Sequence, residues 1–309
     1  NLYHYNLYFM TFDYFLLLVL TSCVGSSLTH YESQSLPSHI EPLFRIFVRN
    51  FVFSQIYSII PTMKLQKLYS KVRQAIDDYN MITENDKIAI GVSGGKDSLT
   101  LLYALSGIRS FYPVPFELVA IAVDLGYEDF DLTPVKALCD ELSVEFYVVK
   151  TDIGRISLEK SKNQASPCSW CAKLRKGALN DFALSVGCNK IAYAHHMDDI
   201  IETMFLSLLY EGQFYSFAPV TQLDGSGLAI IRPLMYVGES DVKGFKNKYN
   251  LPVCKNPCPY DGHTRREYVK QLVRQLNLEN PGVKKRLFSA IQNGNIDDWV
   301  KCTRPSENL

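Results

Sequence analysis

The sequence predicts an α/β fold, a doubly wound and mostly parallel sheet followed by a helical C-terminal extension. From Met63 onward, apolar stretches of strand length alternate with helical patterns through short connections. The predicted strands are almost continuously apolar, which is typical of strands buried on both faces of a parallel sheet. After about residue 200 this alternation ends in an irregular stretch and further helices.

The elements follow in a regular order. The first predicted helix covers residues 64–80, where apolar residues recur at helical spacing. We expect strands at 87–92, 116–123, 145–149 and 190–194, and helices at about 98–109, 132–143 and 169–186. Because ligands bind beyond the carboxyl ends of parallel strands, the loop at Ser93, Asp124 and the loop at His195 are predicted to share one cleft.

The C-terminal part is predicted to be helical and basic. After a helix at 199–210 and a short strand ending at Arg232-Pro233, we expect helices at about 239–249, 264–276 and 282–292. Thr264 and Glu267 have the spacing of a capping box. Residues 243–286 hold eleven Lys and Arg against three acidic residues, so this region is either a phosphate-binding surface or a solvated face of mixed charge. Arg266, Lys270 and Arg274 follow one face of the second of these helices.

Length and composition restrict the class of protein. The chain has 309 residues, 47% of them hydrophobic, and no net charge, so no overall field points to a nucleic-acid partner. Eight cysteines in a chain of this length do not form a small secreted disulfide scaffold. Cys139 and Cys188 lie in apolar helical stretches and are expected to be core thiols.

The first 62 residues differ from the rest of the chain. Their apolar run at 7–20 is short for a membrane span, contains Asp13 and follows no basic residue, so neither a membrane anchor nor a signal peptide is expected. We expect Met63 to be the natural start, residues 1–62 to be a non-native or disordered extension, and the protein to be cytoplasmic. Any peptide of the native protein that maps upstream of Met63 would contradict this expectation.

The run from Ser93 to Ser98 has the character of an anion-binding loop. It reads Ser-Gly-Gly-Lys-Asp-Ser, after a predicted strand and before a predicted helix. Backbone N–H groups at a helix N-terminus, serine hydroxyls and the charge of Lys96 can together bind a phosphate. Two common nucleotide motifs are excluded, because Asp97 follows the lysine and no G-x-G-x-x-G is present.

Cysteines form a second candidate site. Cys168 and Cys171 make a C-x-x-C at a helix start, where the helix N-terminus and nearby Lys and Arg residues favour thiolates. Cys258 is the third candidate ligand, and Cys254 could be a fourth. The pattern fits an iron–sulfur cluster, a zinc site, or a disulfide or persulfide pair.

Two histidines and two carboxylates follow the predicted strand at 190–194. His195, His196, Asp198 and Asp199 offer metal ligands or an acid–base group, and Mg²⁺ bound to the phosphates of a ligand is expected to take a carboxylate here. The structural alternative is that one histidine packs in the core and one aspartate caps the following helix.

The loop SGGKDS resembles the signature of the PP-loop ATPases, which adenylate a carbonyl oxygen. Over about residues 64–300 the chain is similar to the tRNA 2-thiocytidine synthetase family. The similarity rests on SGGKDS at 93–98, CSWCAKLRKG at 168–177, AHHMDD at 194–199, IIRPL at 230–234, the cysteine loop at 254–258 and PGVKKRLFSAIQN at 281–293.

The resemblance implies the fold of the PP-loop ATPases, of the adenine nucleotide alpha hydrolase-like type, over residues 63–235, and a basic helical region over 236–309. It implies ATP-dependent thiolation of a cytidine in the anticodon loop of tRNA, with ATP, Mg²⁺ and a [4Fe-4S] cluster as cofactors. The implied cluster ligands are Cys168, Cys171 and Cys258, and Asp198 is the implied catalytic carboxylate, assisted by Lys96 and Asp97. The nucleotide-binding residues are then Ser93, Gly94, Gly95, Lys96, Asp97, Ser98, Asp124 and His195.

The partners implied by the same resemblance are tRNA and a cysteine desulfurase or other sulfide donor, and a homodimer is a further expectation. Two other functions stay open from the residues. One is another PP-loop tRNA modification, 2-thiouridine or lysidine synthesis. The other is a non-catalytic nucleotide-binding or zinc-binding RNA module.

Overall fold

A twisted β-sheet organises the part of the chain that the computed structural model describes, residues 64–128, 130–161, 167–223, 225–255, 258, 265–294 and 299. All of them fall within one unit, Ile60–Leu309. Six strands form the sheet: β1 Asp86–Gly91, β2 Phe116–Asp124, β3 Glu145–Lys150, β4 Lys190–Ala192, β5 Val220–Gln222 and β6 Ala229–Ile231. Their order is β3-β2-β1-β4-β6-β5, and each neighbouring pair is parallel except β5 and β6.

Helices cover both faces of this sheet. They are α1 Leu65–Asp78, α2 Lys96–Arg109, α3 Thr133–Glu141, α4 Ile153–Ser161, α5 Pro167–Ser185, α6 Met197–Leu206, α7 Glu239–Lys248, α8 Arg265–Glu279 and α9 Val283–Asn293. A π-helical turn, Ser207–Glu211, continues α6. The doubly wound, mostly parallel α/β sheet predicted from the sequence is therefore confirmed.

The core divides between the two faces, as the strand pattern dictates. Ile88 and Ile90 of β1 belong to the larger apolar cluster, which includes residues of α1, α2 and α7. Ala89, between them, belongs to a smaller cluster that includes Leu179 of α5. Successive side chains of a strand point to opposite faces, so a fully apolar strand supplies both clusters.

The C-terminal helices share the larger cluster. Val269 and Val273 of α8 and Phe288 of α9 are buried in it. An ion pair of 2.8 Å between Lys71 Nζ and Asp241 Oδ2 joins α1 to α7. A helical C-terminal region is thus observed, and the boundary expected at residues 235 and 236 stays a prediction.

The sequence reading missed two elements, α4 and β5. Helix α4 is only nine residues long and contains Gly154, where a side chain would lie 2.9 Å from the carbonyl oxygen of Leu125. Strand β5 is three residues long and pairs only with β6. Both elements are stabilised by tertiary contacts more than by local propensity.

Some expectations concern residues outside the described part of the chain. These are the N-terminal extension at 1–62, the capping residue Thr264 and the segment after residue 299. Within the described residues, none of the helices combines the length and the apolar character needed to cross a bilayer.

Candidate nucleotide and cysteine site

The loop at the carboxyl end of β1 folds onto itself before α2 begins. Gly95 is the N-cap of α2, and Gly94 has a φ of +75°, a conformation that glycine adopts without steric cost. The N–H of Ser93 donates to Ser98 Oγ at 3.2 Å, and Ser98 Oγ donates to the carbonyl oxygen of Gly95 at 3.0 Å. A helix N-terminus and a compact glycine loop therefore lie together at the edge of the sheet, as the sequence predicted.

A cavity of about 630 Å³ lies against this loop, and we call it the nucleotide cavity. Its walls include Ser93, Gly95, Ser98, Asp124, His195 and Arg232. The strand order reverses between β1 and β4, so their carboxyl ends open a crevice where small ligands bind in sheets of this kind. The structure thus brings together the three strand ends that the sequence assigned to one cleft.

His195 is an aromatic part of that wall. Its ring stacks on Phe217, with centroids 4.2 Å apart, and on Tyr193 at 5.6 Å. Burial, reinforced by the charge of Arg232, lowers the pKa of His195 to about 3. His195 is therefore neutral near pH 7, and its Nδ1 accepts a hydrogen bond from Arg232 Nε at 3.3 Å.

Arg232 is a buried cation beneath the nucleotide cavity. Its guanidinium also donates to the carbonyl oxygen of Ala218 and, at 3.0 Å, to Thr221 Oγ1. Burial lowers its pKa to about 10, so it still carries its charge at neutral pH. Arg232 belongs to the IIRPL motif, but the sequence alone did not indicate a role for it in the site.

A second cavity of about 410 Å³ holds the cysteines, and we call it the cysteine cavity. Cys168 and Cys171 lie one turn apart at the start of α5, and Cys258 reaches the same cavity from a distant loop. Burial and the neighbouring thiols of Cys258 and Cys168 raise the pKa of Cys171, and Arg175 only partly offsets them. The charge of Arg175 acts in the direction expected from the sequence but does not outweigh burial at Cys171.

Cys254 lies elsewhere, in the wall of the nucleotide cavity. Its N–H donates to the carbonyl oxygen of Gly94 at 3.0 Å. A Cβ built on Gly94 would lie 3.0 Å from the Cβ of Cys254. Of the two cysteines in this loop, only Cys258 lines the cysteine cavity, and Cys254 packs on the anion-binding loop.

The two cavities share a wall. Residues that line both include Asp97 of α2, Asp199 of α6, Arg175 of α5 and Tyr127 after β2. This common wall places the carboxylates of Asp97 and Asp199 between the nucleotide cavity and the thiols.

His196 and Asp199 build the N-terminus of α6. The N–H of Asp199 donates to His196 Nδ1 at 3.3 Å, and the N–H of His196 donates to Asp199 Oδ2 at 3.0 Å, a capping box. His196 Nε2 also lies 3.6 Å from Asp97 Oδ1. His196 and Asp199 therefore have a structural role at the start of α6, which is the alternative that the sequence left open for one histidine and one aspartate. Asp199 also lines both cavities.

Asp198 is buried, and both of its carboxylate oxygens accept hydrogen bonds. Lys284 Nζ lies 2.6 Å from its Oδ1, and the N–H of Glu239 donates to its Oδ2 at 2.7 Å. Burial alone would raise the pKa of Asp198, but these two hydrogen bonds outweigh it and lower the pKa. Asp198 is absent from the described walls of both cavities, so its contacts are those of an anchor joining α6, α7 and α9, and its catalytic role stays a prediction.

Lys96 stands between two carboxylates. Its Nζ lies 2.8 Å from Asp97 Oδ2 and 3.5 Å from Glu239 Oε1. Burial would raise the pKa of Glu239, but hydrogen bonds from Lys270 and Lys243 lower it to about 2. Glu239 is therefore ionised, and no local motif in the sequence pointed to it.

Glu202 is a second carboxyl group that the sequence reading missed. It lies in the wall of the cysteine cavity with 5% of its surface exposed. Burial and the nearby Asp199 raise its pKa to about 7, and Arg266 Nη1 is 3.5 Å away. Its position three residues after Asp199 on α6 was the signal available, because that spacing places both on one helix face.

The basic residues of α8 face these carboxylates. Arg266 Nη1 lies 3.7 Å from Asp199 Oδ1, and Lys270 Nζ lies 2.8 Å from Glu239 Oε1. Both residues line the cysteine cavity, whereas Arg274 is exposed further along the helix. Of the three basic residues predicted to share a face of α8, two therefore line the cysteine cavity and one lies on the surface.

The donor set of the cysteine cavity suits an iron–sulfur cluster, because thiolates are soft ligands. Within the described residues, no three His, Cys, Asp or Glu side chains converge on a point that could hold a single metal ion. A cluster contains several irons, so its thiolate ligands need not converge on one point.

Comparison with known proteins gives concordant results. The profile of the PP-loop domain family matches residues 63–276. The tRNA-cytidine(32) 2-sulfurtransferase of Geotalea uraniireducens is 39% identical over 238 residues, which are 76% of this chain and 94% of that protein. The protein of the same name from Geobacter sulfurreducens is 37% identical over 236 residues, 76% of this chain and 92% of that protein.

Among solved structures, the U34-tRNA thiolase NcsA from Methanococcus maripaludis, determined with its [4Fe-4S] cluster, has a TM-score of 0.63. The two chains are 24% identical, and the match covers 75% of this chain and 79% of that one. This likeness supports the fold. The family match and the curated relatives together confirm the resemblance found in the motifs: the chain belongs to the PP-loop domain family and, within it, to the tRNA-cytidine 2-sulfurtransferases.

Proposed function

We propose that this protein uses ATP to replace a cytidine oxygen in a tRNA anticodon loop by sulfur. The observation that carries the proposal is the wall shared by a nucleotide cavity and a cavity lined by three thiols. Activation of the base and delivery of sulfur are consecutive steps at one carbon, so two adjoining cavities suit them. The name shared by the curated relatives, tRNA-cytidine(32) 2-sulfurtransferase, supports the same substrate class.

In the first step the cytidine oxygen attacks the α-phosphorus of ATP, and pyrophosphate leaves. The loop amides at the N-terminus of α2 and the hydroxyls of Ser93 and Ser98 would stabilise the phosphate charge that develops. Lys96, the first residue of α2, lines the adjoining cysteine cavity and would add positive charge from that side. His195 and Phe217 offer flat neutral surfaces in the same cavity for a heterocyclic ring.

Mg²⁺ would be held by Asp97 and Asp199 together with the phosphates. Both carboxylates line the nucleotide cavity, and Mg²⁺ in proteins usually takes one or two carboxylates and completes its shell with phosphate and water. Lys96, 2.8 Å from Asp97 Oδ2, would balance part of the carboxylate charge from the cysteine-cavity side.

In the second step sulfide bonds to the activated carbon, and AMP leaves with the oxygen. Cys168, Cys171 and Cys258, which line the cysteine cavity, would hold a [4Fe-4S] cluster, and the cluster would supply the sulfide for this step. Arg175 and Asp97, which face both cavities, would position the base between them. A cysteine desulfurase or other sulfide donor, a homodimeric assembly and a cytoplasmic location complete the proposal.

The matched variants Cys258→Ala and Cys254→Ala test the proposal, because these cysteines lie four residues apart but line different cavities. We expect Cys258→Ala, like Cys168→Ala and Cys171→Ala, to abolish cluster absorbance and thiolation while ATP binding persists. Cys254→Ala should keep the cluster, because its backbone contact with Gly94 needs no side chain. Nucleoside mass spectrometry of tRNA from a deletion strain identifies the modified base. Full thiolation by cluster-free Cys258→Ala would refute the proposed role of these cysteines.

A further inference from the structure

Three aromatic rings are exposed in the segment that follows α6. Tyr210, Phe214 and Tyr215, which we call the aromatic patch, expose 44%, 69% and 50% of their surfaces. Exposed aromatic rings grouped within six residues of one segment often mark an interaction site, whereas isolated ones are common on protein surfaces.

The patch is held on an ordered backbone. Ser216, directly after Tyr215, is buried, and its Oγ donates to the carbonyl oxygen of Ile200 on α6 at 2.7 Å. Gly212 takes a φ of +66° and ends the π-helical turn between Tyr210 and Phe214. The rings are therefore presented by an ordered segment, so binding of a ligand would cost this segment little conformational entropy.

Positive charge lies directly beside the patch. The guanidinium carbon of Arg265 is 4.8 Å from the ring centre of Tyr210. The next residue of α8, Arg266, lines the cysteine cavity. A cation stacked on an aromatic ring, next to a further arginine, suits a ligand that has both flat rings and negative charge.

The same segment continues into the nucleotide cavity. Phe217, two residues after Tyr215, forms part of that cavity and stacks on His195. Burial lowers the pKa of Arg232, which also lines the cavity, and Tyr215 partly offsets that decrease. The segment that carries the aromatic patch therefore leads within two residues into the wall of the nucleotide cavity.

We infer that the aromatic patch stacks the unpaired RNA bases that flank the target cytidine, an inference that rests on the proposed function. A base can enter the cavity only after it leaves the loop stack, and this costs its neighbours their stacking energy. Aromatic side chains restore that stacking for any base, and Arg265 and Arg266 complement the phosphates. The patch thus recognises a single-stranded loop and not a particular sequence.

Binding of an unmodified anticodon stem-loop RNA to the full chain tests this inference. We expect Phe214→Ala and Tyr215→Ala each to weaken binding by about 5- to 100-fold, the range for loss of one stacked base, with unchanged ATP affinity and thermal stability. Phe214→Trp should bind as the wild type does. Phe111→Ala is the matched control, because Phe111 is 48% exposed at the far end of α2, away from both cavities. Ultraviolet cross-linking should join loop nucleotides to the patch.

Two results would overturn the inference. The first is RNA affinity within twofold of the wild type in all patch variants, whether or not thiolation persists. The second is dissociation of a homodimer by Phe214→Ala with RNA affinity unchanged, because the patch would then be a protein interface. Failure of the proposed function is distinguishable, since the wild-type protein itself would then neither bind nor thiolate tRNA.

Discussion

The nucleotide cavity and the cysteine cavity adjoin each other but are built by different means. The nucleotide cavity lies at the carboxyl ends of β1, β2 and β4 and takes most of its wall from those strands together with the residues that follow them. The cysteine cavity lies among α4, α5, α6 and α8 and needs Cys258 from a loop about ninety residues after the C-x-x-C. The first depends on the sheet, and the second depends on how helices from the two halves of the chain pack.

The two cavities also differ in the charges of the side chains that surround them. The nucleotide cavity holds a neutral His195 and one buried cation, Arg232. The cysteine cavity is surrounded by paired charges, among them Glu202 with Arg266 and Glu239 with Lys270. The nucleotide cavity therefore offers flat rings and anion-binding amides, whereas the cysteine cavity surrounds its thiols with paired acidic and basic side chains. Variants should therefore damage the two cavities separately, except where one residue supports both.

The largest effect is expected for Asp198, which supports both cavities by joining α6, α7 and α9. Asp198→Asn and Lys284→Met should each lower the free energy of unfolding by about 2–4 kcal/mol, because each leaves a largely buried partner unpaired. Urea denaturation measures this loss, and we expect ATP binding and cluster loading to weaken together. Loss of thiolation alone in Asp198→Asn, with stability unchanged, would show a catalytic carboxylate and not an anchor.

A second variant should damage the nucleotide cavity alone. Gly94→Ala combines a φ of +75° with a close contact to Cys254, so we expect a roughly tenfold or greater loss of ATP affinity, from strain of about 1–2 kcal/mol plus the contact. Isothermal titration with ATP measures it, and cluster absorbance should stay. Gly187→Ala is the control, because Gly187 has a φ of +79° but nothing within 4 Å. Equal loss of ATP affinity in both variants would contradict the role of the Cys254 contact.

The last effect concerns the pH dependence of stability and is expected in the cysteine cavity, at Glu202. The pKa of this residue rises from 4.5 to about 7 on folding, so the stability it contributes is full below pH 4.5 and is lost as the pH rises through 7. Glu202→Gln cannot ionise and should escape that loss, so its stability relative to the wild type should increase by about 2–3 kcal/mol between pH 4.5 and pH 8. Denaturation across this range measures it, and parallel curves for the two proteins would show that Glu202 ionises normally.

Local patterns in the sequence predicted the nucleotide cavity well. The glycine loop, Asp124 and His195 lie at strand ends, and parallel strands bring such residues to one edge whatever the details of packing. The C-x-x-C helix was predicted for a similar reason, since a three-residue spacing already places Cys168 and Cys171 on one face. By contrast, no local rule placed Cys258 beside the C-x-x-C helix, because about ninety residues of chain separate them.

The sequence by itself determined the alternation of strands and helices except for α4 and β5, the anion-binding loop and the family, because these depend on periodicity and on contiguous motifs. Only the tertiary structure separated Cys258 from Cys254, paired Asp198 with Lys284 and brought Glu239 to Lys96. Each of these contacts either joins segments that are distant in the chain or depends on the path of a loop. Such contacts are set by how helices pack on the sheet, which neighbouring residues in the sequence do not specify.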